Sequence, residues 1–420
     1  MVKILALKRV GFYLTSDIVS KLAPFIILPY IANGLGIVEF GIYSLLLTIS
    51  LTFSIFIGFN TQNALSIYFF RKKRGWSRLG RGLFNIWLYS FAFLSIASLF
   101  FFSLHWVRVT WLSALIAYCT WNFQLLITVL QFKESLLLYA IAQVFRSVVL
   151  SLIPASVVYY GHPDAIDAYL IFIYLTLANI IVYIFTIYIF NHVGFFKEKP
   201  ELRKSIIIWA LKFSIPTVLN ASSGWARASF DRYILVTLVG TAALGIYSLG
   251  FQYGSIVGVV GISISRVSTN ILLKCLNNKL IPRLKRVEGS LRIIRGFVLL
   301  NFFVLLIFFA FIYFGQTIFF PKAFEHSVWV SYIVGIAFFF QSCASLATPC
   351  IQFISKNSFL GFLAIGLSIV SLFLVFFSIK LAAHTGASIA FLFVWVLHAG
   401  ISLMWVHKFL KIWANTRLSQ

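Results

Sequence analysis

Long uninterrupted runs of apolar residues constrain this chain more than any other feature. One example is FVLLNFFVLLIFFAFIYF at positions 297–314, which contains no charged side chain. Similar runs recur along all 420 residues, of which 61% are hydrophobic and only 10% are charged. A water-soluble surface needs far more polar groups than this. The composition therefore predicts a protein that crosses a membrane many times.

The same runs favour helices over a barrel. Hydrocarbon offers the backbone no hydrogen-bond partners, so only helices or a closed barrel can cross it. Barrel strands alternate apolar and polar residues, and these runs do not. We therefore predict an all-α membrane protein with about twelve transmembrane helices. Their expected limits are 10–32, 40–70, 82–104, 107–130, 136–160, 168–192, 205–238, 242–274, 296–315, 328–353, 357–380 and 386–407.

The basic residues predict how these helices are oriented. In a soluble protein, a formal net charge of +24 would suggest a nucleic-acid partner. In a membrane protein, Lys and Arg collect in short cytoplasmic loops instead. With both termini in the cytoplasm, 25 of the 34 basic residues fall in cytoplasmic segments, and only Arg108, Lys322 and Lys380 fall in outer loops. We therefore predict cytoplasmic termini and no nucleic-acid partner.

One short sequence occurs in both halves of the chain. GIYSL occupies positions 41–45 and again 245–249, and Gly36 and Gly240 precede the two copies in register at an offset of 204. The pattern predicts two homologous six-helix bundles, 1–196 and 205–420, joined by a cytoplasmic linker at 197–204. Because six is even, both bundles enter the membrane in the same direction, so their pseudo-twofold axis runs along the membrane normal. This arrangement favours a transporter over a channel or a membrane enzyme.

Eight charged residues fall inside the predicted spans. One such charge costs about 2.5–3.5 kcal/mol at the centre of a membrane helix, so these side chains should face one another or a watery cavity. The six cations outnumber the two acids, which leaves a positive surplus. The eight are Asp17, Lys21, Arg146, Lys212, Arg227, Asp231, Arg232 and Arg266.

Two interpretations of these charges compete. Asp17 and Lys21 are four residues apart, as are Arg227 and Asp231, which predicts two structural ion pairs on helix faces. Alternatively, the surplus guanidinium groups line a cavity that attracts anions, because arginine grips phosphate with a planar fork of donors. We favour this second interpretation for three arginines, and Arg146 and Lys21 are further candidates. The three favoured arginines are Arg227, Arg232 and Arg266.

Motifs for other chemistry are absent from the sequence. There is no GxxxxGKS loop for ATP, no HExxH motif, and no metal-ligand spacing among the four cysteines. We therefore predict a protein that is not an enzyme and that needs no metal or other cofactor. Asp17 and Asp231 are candidates for coupling transport to protons or sodium, although each has a basic neighbour that already accounts for an acid inside a span.

Two segments resemble a known family. FIILPYIANGLGIVEFGIYSLL and FDRYILVTLVGTAALGIYSLG are similar to the first-to-second and seventh-to-eighth helix regions of bacterial polysaccharide repeat-unit flippases of the Wzx type. These flippases belong to the multidrug/oligosaccharidyl-lipid/polysaccharide exporter superfamily. The resemblance covers essentially the whole chain, and its motifs are mostly hydrophobic and glycine positions.

The resemblance implies a function and a place in the cell. The expected cargo is an undecaprenyl-pyrophosphate-linked oligosaccharide, such as an O-antigen or capsule repeat unit. It would be flipped across the bacterial inner membrane by alternating access through a cationic cavity. The resemblance also implies a polysaccharide polymerase and a chain-length regulator as partners. Two alternatives stay open, a multidrug antiporter of the same superfamily and a membrane glycan polymerase or ligase.

Overall fold

The chain folds into a series of long helices. The computed structural model describes residues 2–59, 61, 64–65, 68, 76–101, 103–162, 166–197, 204–278, 280–354 and 356–415. Within these ranges there are ten α-helices and two short 3-10 helices, Phe195–Lys197 and Lys322–Phe324. The α-helices are α1 (Val2–Gly58), α2 (Trp76–Phe101), α3 (Leu104–Phe132), α4 (Leu136–Tyr160), α5 (Ala168–His192), α6 (Lys204–Leu238), α7 (Thr241–Asn277), α8 (Arg283–Phe319), α9 (Ser327–Phe353) and α10 (Asn357–Asn415).

Two of these helices are broken internally. α1 breaks at Gly36, and α10 breaks at Ala382 and Ala383, where the backbone leaves the helical region. Counting each broken helix as two segments, these ten α-helices contain twelve helical segments, one for each predicted span, and Ala64, Leu65 and Tyr68 are also helical among the described residues. Nine helices of the described chain are long and apolar enough to cross a membrane. The protein is therefore an all-helical, multi-pass membrane protein.

The start of the ninth span differs from its prediction. The ninth span was expected to begin at 296, but α8 begins at Arg283. Its first turns are rich in charge and are nevertheless helical. Hydropathy locates the apolar part of a helix and not its polar extensions. The second span was expected to reach 70. α1 ends at Gly58 and Phe59 follows with a positive φ of 44°, but Ala64, Leu65 and Tyr68 are again helical and most of 60–70 lies outside the described residues, so this limit stays a prediction.

The described chain divides into two units, 1–225 and 226–420, so the division falls inside α6. In the first unit, α1 to α5 surround a core that includes Trp87, Phe123 and Tyr139. Glu39 accepts a hydrogen bond from the backbone N–H of Ala168 over 2.8 Å, which satisfies a free donor at the start of α5. The predicted bundle limits of 1–196 and 205–420 stay a prediction, and residues 198–203 of the linker lie outside the described residues.

In the second unit, a row of glycines lets α7 and α9 approach closely. A Cβ atom added at Gly250 would lie 2.5 Å from the backbone oxygen of Ser327, and one added at Gly254 would lie 2.7 Å from Val334. Membrane helices associate through such small residues, because lipid provides no hydrophobic drive for helices to pair. The packing of α7 on α9 positions Phe251, the α7 member of the site described next, whose ring contacts Phe338 of α9.

Candidate functional site

Arg227 is the most deeply buried of the predicted cargo-binding cations that the structure describes. α6 places it inside the second unit, where its side chain is 7% exposed. Its Nη1 donates to Nδ1 of His398 over 3.2 Å, and its guanidinium carbon lies 5.2 Å from the centroid of the Trp395 ring. A guanidinium only donates hydrogen bonds, so Nδ1 of His398 is the accepting, unprotonated nitrogen. Arg227 therefore points towards α10.

Trp395 and His398 form a flat surface beside this guanidinium. They are three residues apart on α10, and their rings stack with centroids 5.2 Å apart and an angle of 14° between the planes. Two buried N–H donors at this place, Nε of Arg227 and Nε1 of Trp395, have no hydrogen-bond partner among the described residues. Buried donors without a partner are rare in proteins, and a bound water, ion or ligand is one explanation for them.

Asp231 lies one turn after Arg227 on α6 and has different partners. Its side chain is 2% exposed. The Tyr247 hydroxyl of α7 donates to Oδ2, and the backbone N–H of Arg232 donates to Oδ1 over 2.8 Å. Within the described residues, Arg227 and Asp231 therefore do not form the ion pair that their spacing predicts, and that prediction was wrong. Each side chain instead turns to a different neighbouring helix.

Arg232 completes the group of charges. Its guanidinium carbon lies 4.7 Å from the centroid of the Phe251 ring of α7. Phe251 in turn packs against Phe391, with ring centroids 5.2 Å apart, and Phe391 packs against Trp395 at 6.2 Å. A continuous aromatic surface thus joins the two arginines. We name this group the arginine–aromatic cluster: Arg227, Arg232, Phe251, Phe391, Trp395 and His398.

The other predicted site residues lie elsewhere. Arg266 is exposed on α7, 15 residues beyond Phe251 and therefore about 22 Å along the helix. In the first unit, Arg146 places its guanidinium 4.6 Å from the centroid of the Phe123 ring. Lys21 is exposed in the same unit. The side chain of Asp17 lies outside the described residues, so its predicted pairing with Lys21 stays a prediction.

The sequence prediction missed the aromatic and histidine members of the cluster. His398 carried a usable signal, because it is the histidine furthest inside a predicted span. Tyr247 lies in the repeated GIYSL segment, where it was interpreted only as evidence of duplication. Trp395 and Phe251 are two of many aromatic residues in a chain that is 18% aromatic, so sequence alone could not single them out.

Solved structures share this fold over nearly the whole chain. The lipid II flippase MurJ in an inward closed conformation is 10% identical, with a TM-score of 0.69 over 94% of this chain and 87% of that chain. A multidrug resistance MATE family transporter of the MOP superfamily, in an outward-facing conformation, is 13% identical, with a TM-score of 0.66 over 98% and 97%. At such low identity the likeness establishes the fold, which is that of MOP superfamily transporters.

A match to a protein family identifies the chain more narrowly than the shared fold does. The polysaccharide biosynthesis protein family matches residues 6–269, which is more than half of the chain. The protein therefore belongs to the polysaccharide biosynthesis protein family, and the resemblance noted in the sequence is confirmed. A protein of the Lsg locus of Haemophilus influenzae is 22% identical over 275 residues, a match that spans 64% of this chain and 63% of that protein.

Proposed function

We propose that the protein flips undecaprenyl-pyrophosphate-linked oligosaccharide repeat units from the cytoplasmic to the periplasmic leaflet of the bacterial inner membrane. Membership of a polysaccharide biosynthesis family supports a glycan as cargo. The fold shared with a lipid II flippase supports a lipid-linked cargo. In this proposal the protein is a transporter and not an enzyme, both termini lie in the cytoplasm, and a polymerase and a chain-length regulator act on its product.

The observation that carries the proposal is the buried guanidinium of Arg227 with its Nε donor unpartnered among the described residues. A pyrophosphate presents several oxygen acceptors and negative charge, and arginine binds such groups through two parallel N–H donors. The adjoining rings of Trp395 and Phe391 are 7% and 3% exposed here, and in this proposal the C–H faces of sugars pack against them in a conformation in which the cluster is open. One cluster thus provides binding surfaces for both parts of the cargo.

The remaining charges have secondary roles in this mechanism. Arg266, Arg146 and Lys21 attract the anionic headgroup, and the polyprenyl tail stays in lipid throughout. The protein alternates between conformations that open to the two sides of the membrane. Asp231, held by Tyr247, is a candidate for coupling this change to protons or sodium, and Asp17 is a second candidate.

Complementation of a bacterium that lacks its own repeat-unit flippase tests the proposal. We expect Arg227→Ala and Arg232→Ala to abolish surface glycan while the protein still reaches the membrane. Lys380→Ala is the matched control, because Lys380 also lies over an aromatic ring, at 4.3 Å from Phe376, but outside the cluster. This control should leave surface glycan unchanged.

The state of the glycan and the drug tolerance distinguish the alternatives. Loss of a flippase accumulates single lipid-linked repeat units on the cytoplasmic face, whereas loss of a polymerase leaves single units displayed outside. Loss of a multidrug antiporter would lower drug tolerance and leave the glycan intact. Normal surface glycan in both arginine variants would reject the cluster as the site of transport.

A further inference from the structure

A groove runs between α8 and α10 at the surface of the second unit. It forms an open depression of about 490 Å³, within the range of small-molecule sites. Most of its lining is apolar, and two polar side chains, Arg295 of α8 and His407 of α10, complete it. The apolar lining consists of Leu291, Ile294, Val298, Leu299, Leu403 and Val406.

The floor of the groove is firmly built. Ile294 is 4% exposed and Val406 is 1% exposed, and both belong to the apolar core beneath. At one end, two arginines of α8 hold the last turns of α10. Arg283 and Arg286 lie 5.2 Å and 5.1 Å from the centroid of the Trp413 ring. The two helices thus run antiparallel with a fixed register.

The two polar residues of the groove are available to a ligand. Arg295 and His407 are exposed, and neither has a hydrogen-bond or ion-pair partner among the described residues. Other exposed cations lie nearby in the chain, Arg292 on α8 and Lys411 on α10, against one acid, Glu288. This end of the groove therefore attracts negative charge.

The surface beyond Arg295 is suited to hydrocarbon. Four large apolar side chains on the following turns of α8 are strongly exposed: Leu299 at 60%, Leu300 at 45%, Phe303 at 60% and Ile307 at 69%. A contiguous exposed apolar face of this kind marks a surface that lipid or a partner covers. Along α8 the charged end is therefore followed by an apolar face, as the headgroup of a lipid is followed by its acyl chain.

We propose that this groove binds an anionic glycerophospholipid of the cytoplasmic leaflet. The phosphate lies against Arg295 and His407, and one acyl chain lies along the groove over Ile294 and Val406. Basic pockets between transmembrane helices on the cytoplasmic side hold lipid headgroups in this way. The basic segments at this end of α8 and α10 place it on the cytoplasmic side by the positive-inside rule. The site is distinct from the arginine–aromatic cluster, and the proposal does not depend on the cargo.

Native mass spectrometry of the full, delipidated protein in detergent tests the proposal. We expect the protein to bind dioleoyl phosphatidylglycerol much more tightly than dioleoyl phosphatidylcholine. Arg295→Gln should weaken phosphatidylglycerol binding about fivefold, the effect of one basic residue at an anionic lipid surface. His407→Gln should weaken it in the same direction, which gives a second variant if the first folds poorly.

Two controls make the result specific. Arg292→Gln removes an exposed cation one turn earlier on α8 that does not line the groove, so it should weaken phosphatidylglycerol binding clearly less than Arg295→Gln does. Leu403→Trp fills the groove and should weaken binding while Arg295 stays in place. The proposal is overturned if Arg292→Gln and Arg295→Gln have equal effects, or if both lipids bind equally. Displacement of the bound lipid by inorganic phosphate or by an isoprenyl phosphate would also overturn it.

Discussion

At the scale of single residues, Arg227 is buried with only some of its hydrogen-bond donors paired. It gains one hydrogen bond to His398 and an aromatic face on Trp395, and a desolvated cation–aromatic contact contributes about 2 kcal/mol. Its Nε donor nevertheless lacks a partner in the described chain, which costs about 1–3 kcal/mol. Such local conflicts between burial and bonding are expected at functional sites rather than at structural ones.

This conflict predicts that Arg227→Met separates stability from function. Methionine is apolar and of similar length, and it removes the desolvation cost of a buried charge that pairs with no acid among the described residues. We expect an unchanged or higher Tm of the purified protein together with loss of surface glycan. A clear fall in Tm, with glycan lost in proportion to protein, would assign Arg227 a structural role instead.

Tyr247 makes a second prediction at this scale. Its hydroxyl donates to the buried carboxylate of Asp231, so Tyr247→Phe should destabilise the protein by about 1–3 kcal/mol. Tyr43→Phe is the matched control, because Tyr43 occupies the same place in the first GIYSL copy, where Ile27 replaces the aspartate. Thermal denaturation should show a lower Tm for the first variant only. Equal shifts would mean that the contact with Asp231 contributes nothing.

At the scale of helices, the contact of α7 with α9 depends on residues that lack a side chain. Gly250, Gly254 and Gly258 would each bring an added Cβ atom within 3 Å of α9. This contact also positions Phe251, which lies next to Gly250 and carries Arg232 on its ring. The geometry of the site therefore depends on how closely these two helices approach.

Gly250→Ala should consequently destabilise the second unit. The new methyl group would lie 2.5 Å from the backbone oxygen of Ser327, which cannot rotate away as a side chain can. Overpacking of this kind costs about 1–3 kcal/mol. Gly296→Ala on α8 meets nothing within 4 Å, so it serves as the helical control and should leave Tm unchanged or raise it. If both variants have the same Tm, the helices have room that the structure does not show.

At the scale of the whole molecule, the sequence predicts the fold better than it predicts the site. Apolar runs locate the helices because lipid requires every span to satisfy its own backbone. The partners of Arg227 and Asp231 come from α10 and α7, so a spacing rule within α6 predicted the wrong bond. His398 is 171 positions from Arg227, and no local pattern links two residues at that distance.

The repeat in the sequence has a counterpart in the backbone, and the predicted duplication implies a matched pair of effects. Gly36 has φ 70° and ψ 176°, and Gly240 has φ 111° and ψ 175°, values in a region open essentially to glycine alone. Both residues precede a GIYSL copy at the offset of 204 that the sequence shows. Each therefore makes the same sharp turn before the second helix of its half.

We expect Gly36→Ala and Gly240→Ala each to destabilise the protein by about 1–3 kcal/mol, because alanine is strained at these angles. The two residues lie in different units, so the double variant should show the sum of the single effects to within about 0.5 kcal/mol. Thermal or denaturant unfolding of the purified protein in detergent measures this, with Gly366→Ala, which meets nothing within 4 Å, as the control. A neutral result at either glycine would show that the two turns are not equivalent, and the structural case for two homologous halves would then lose its strongest support.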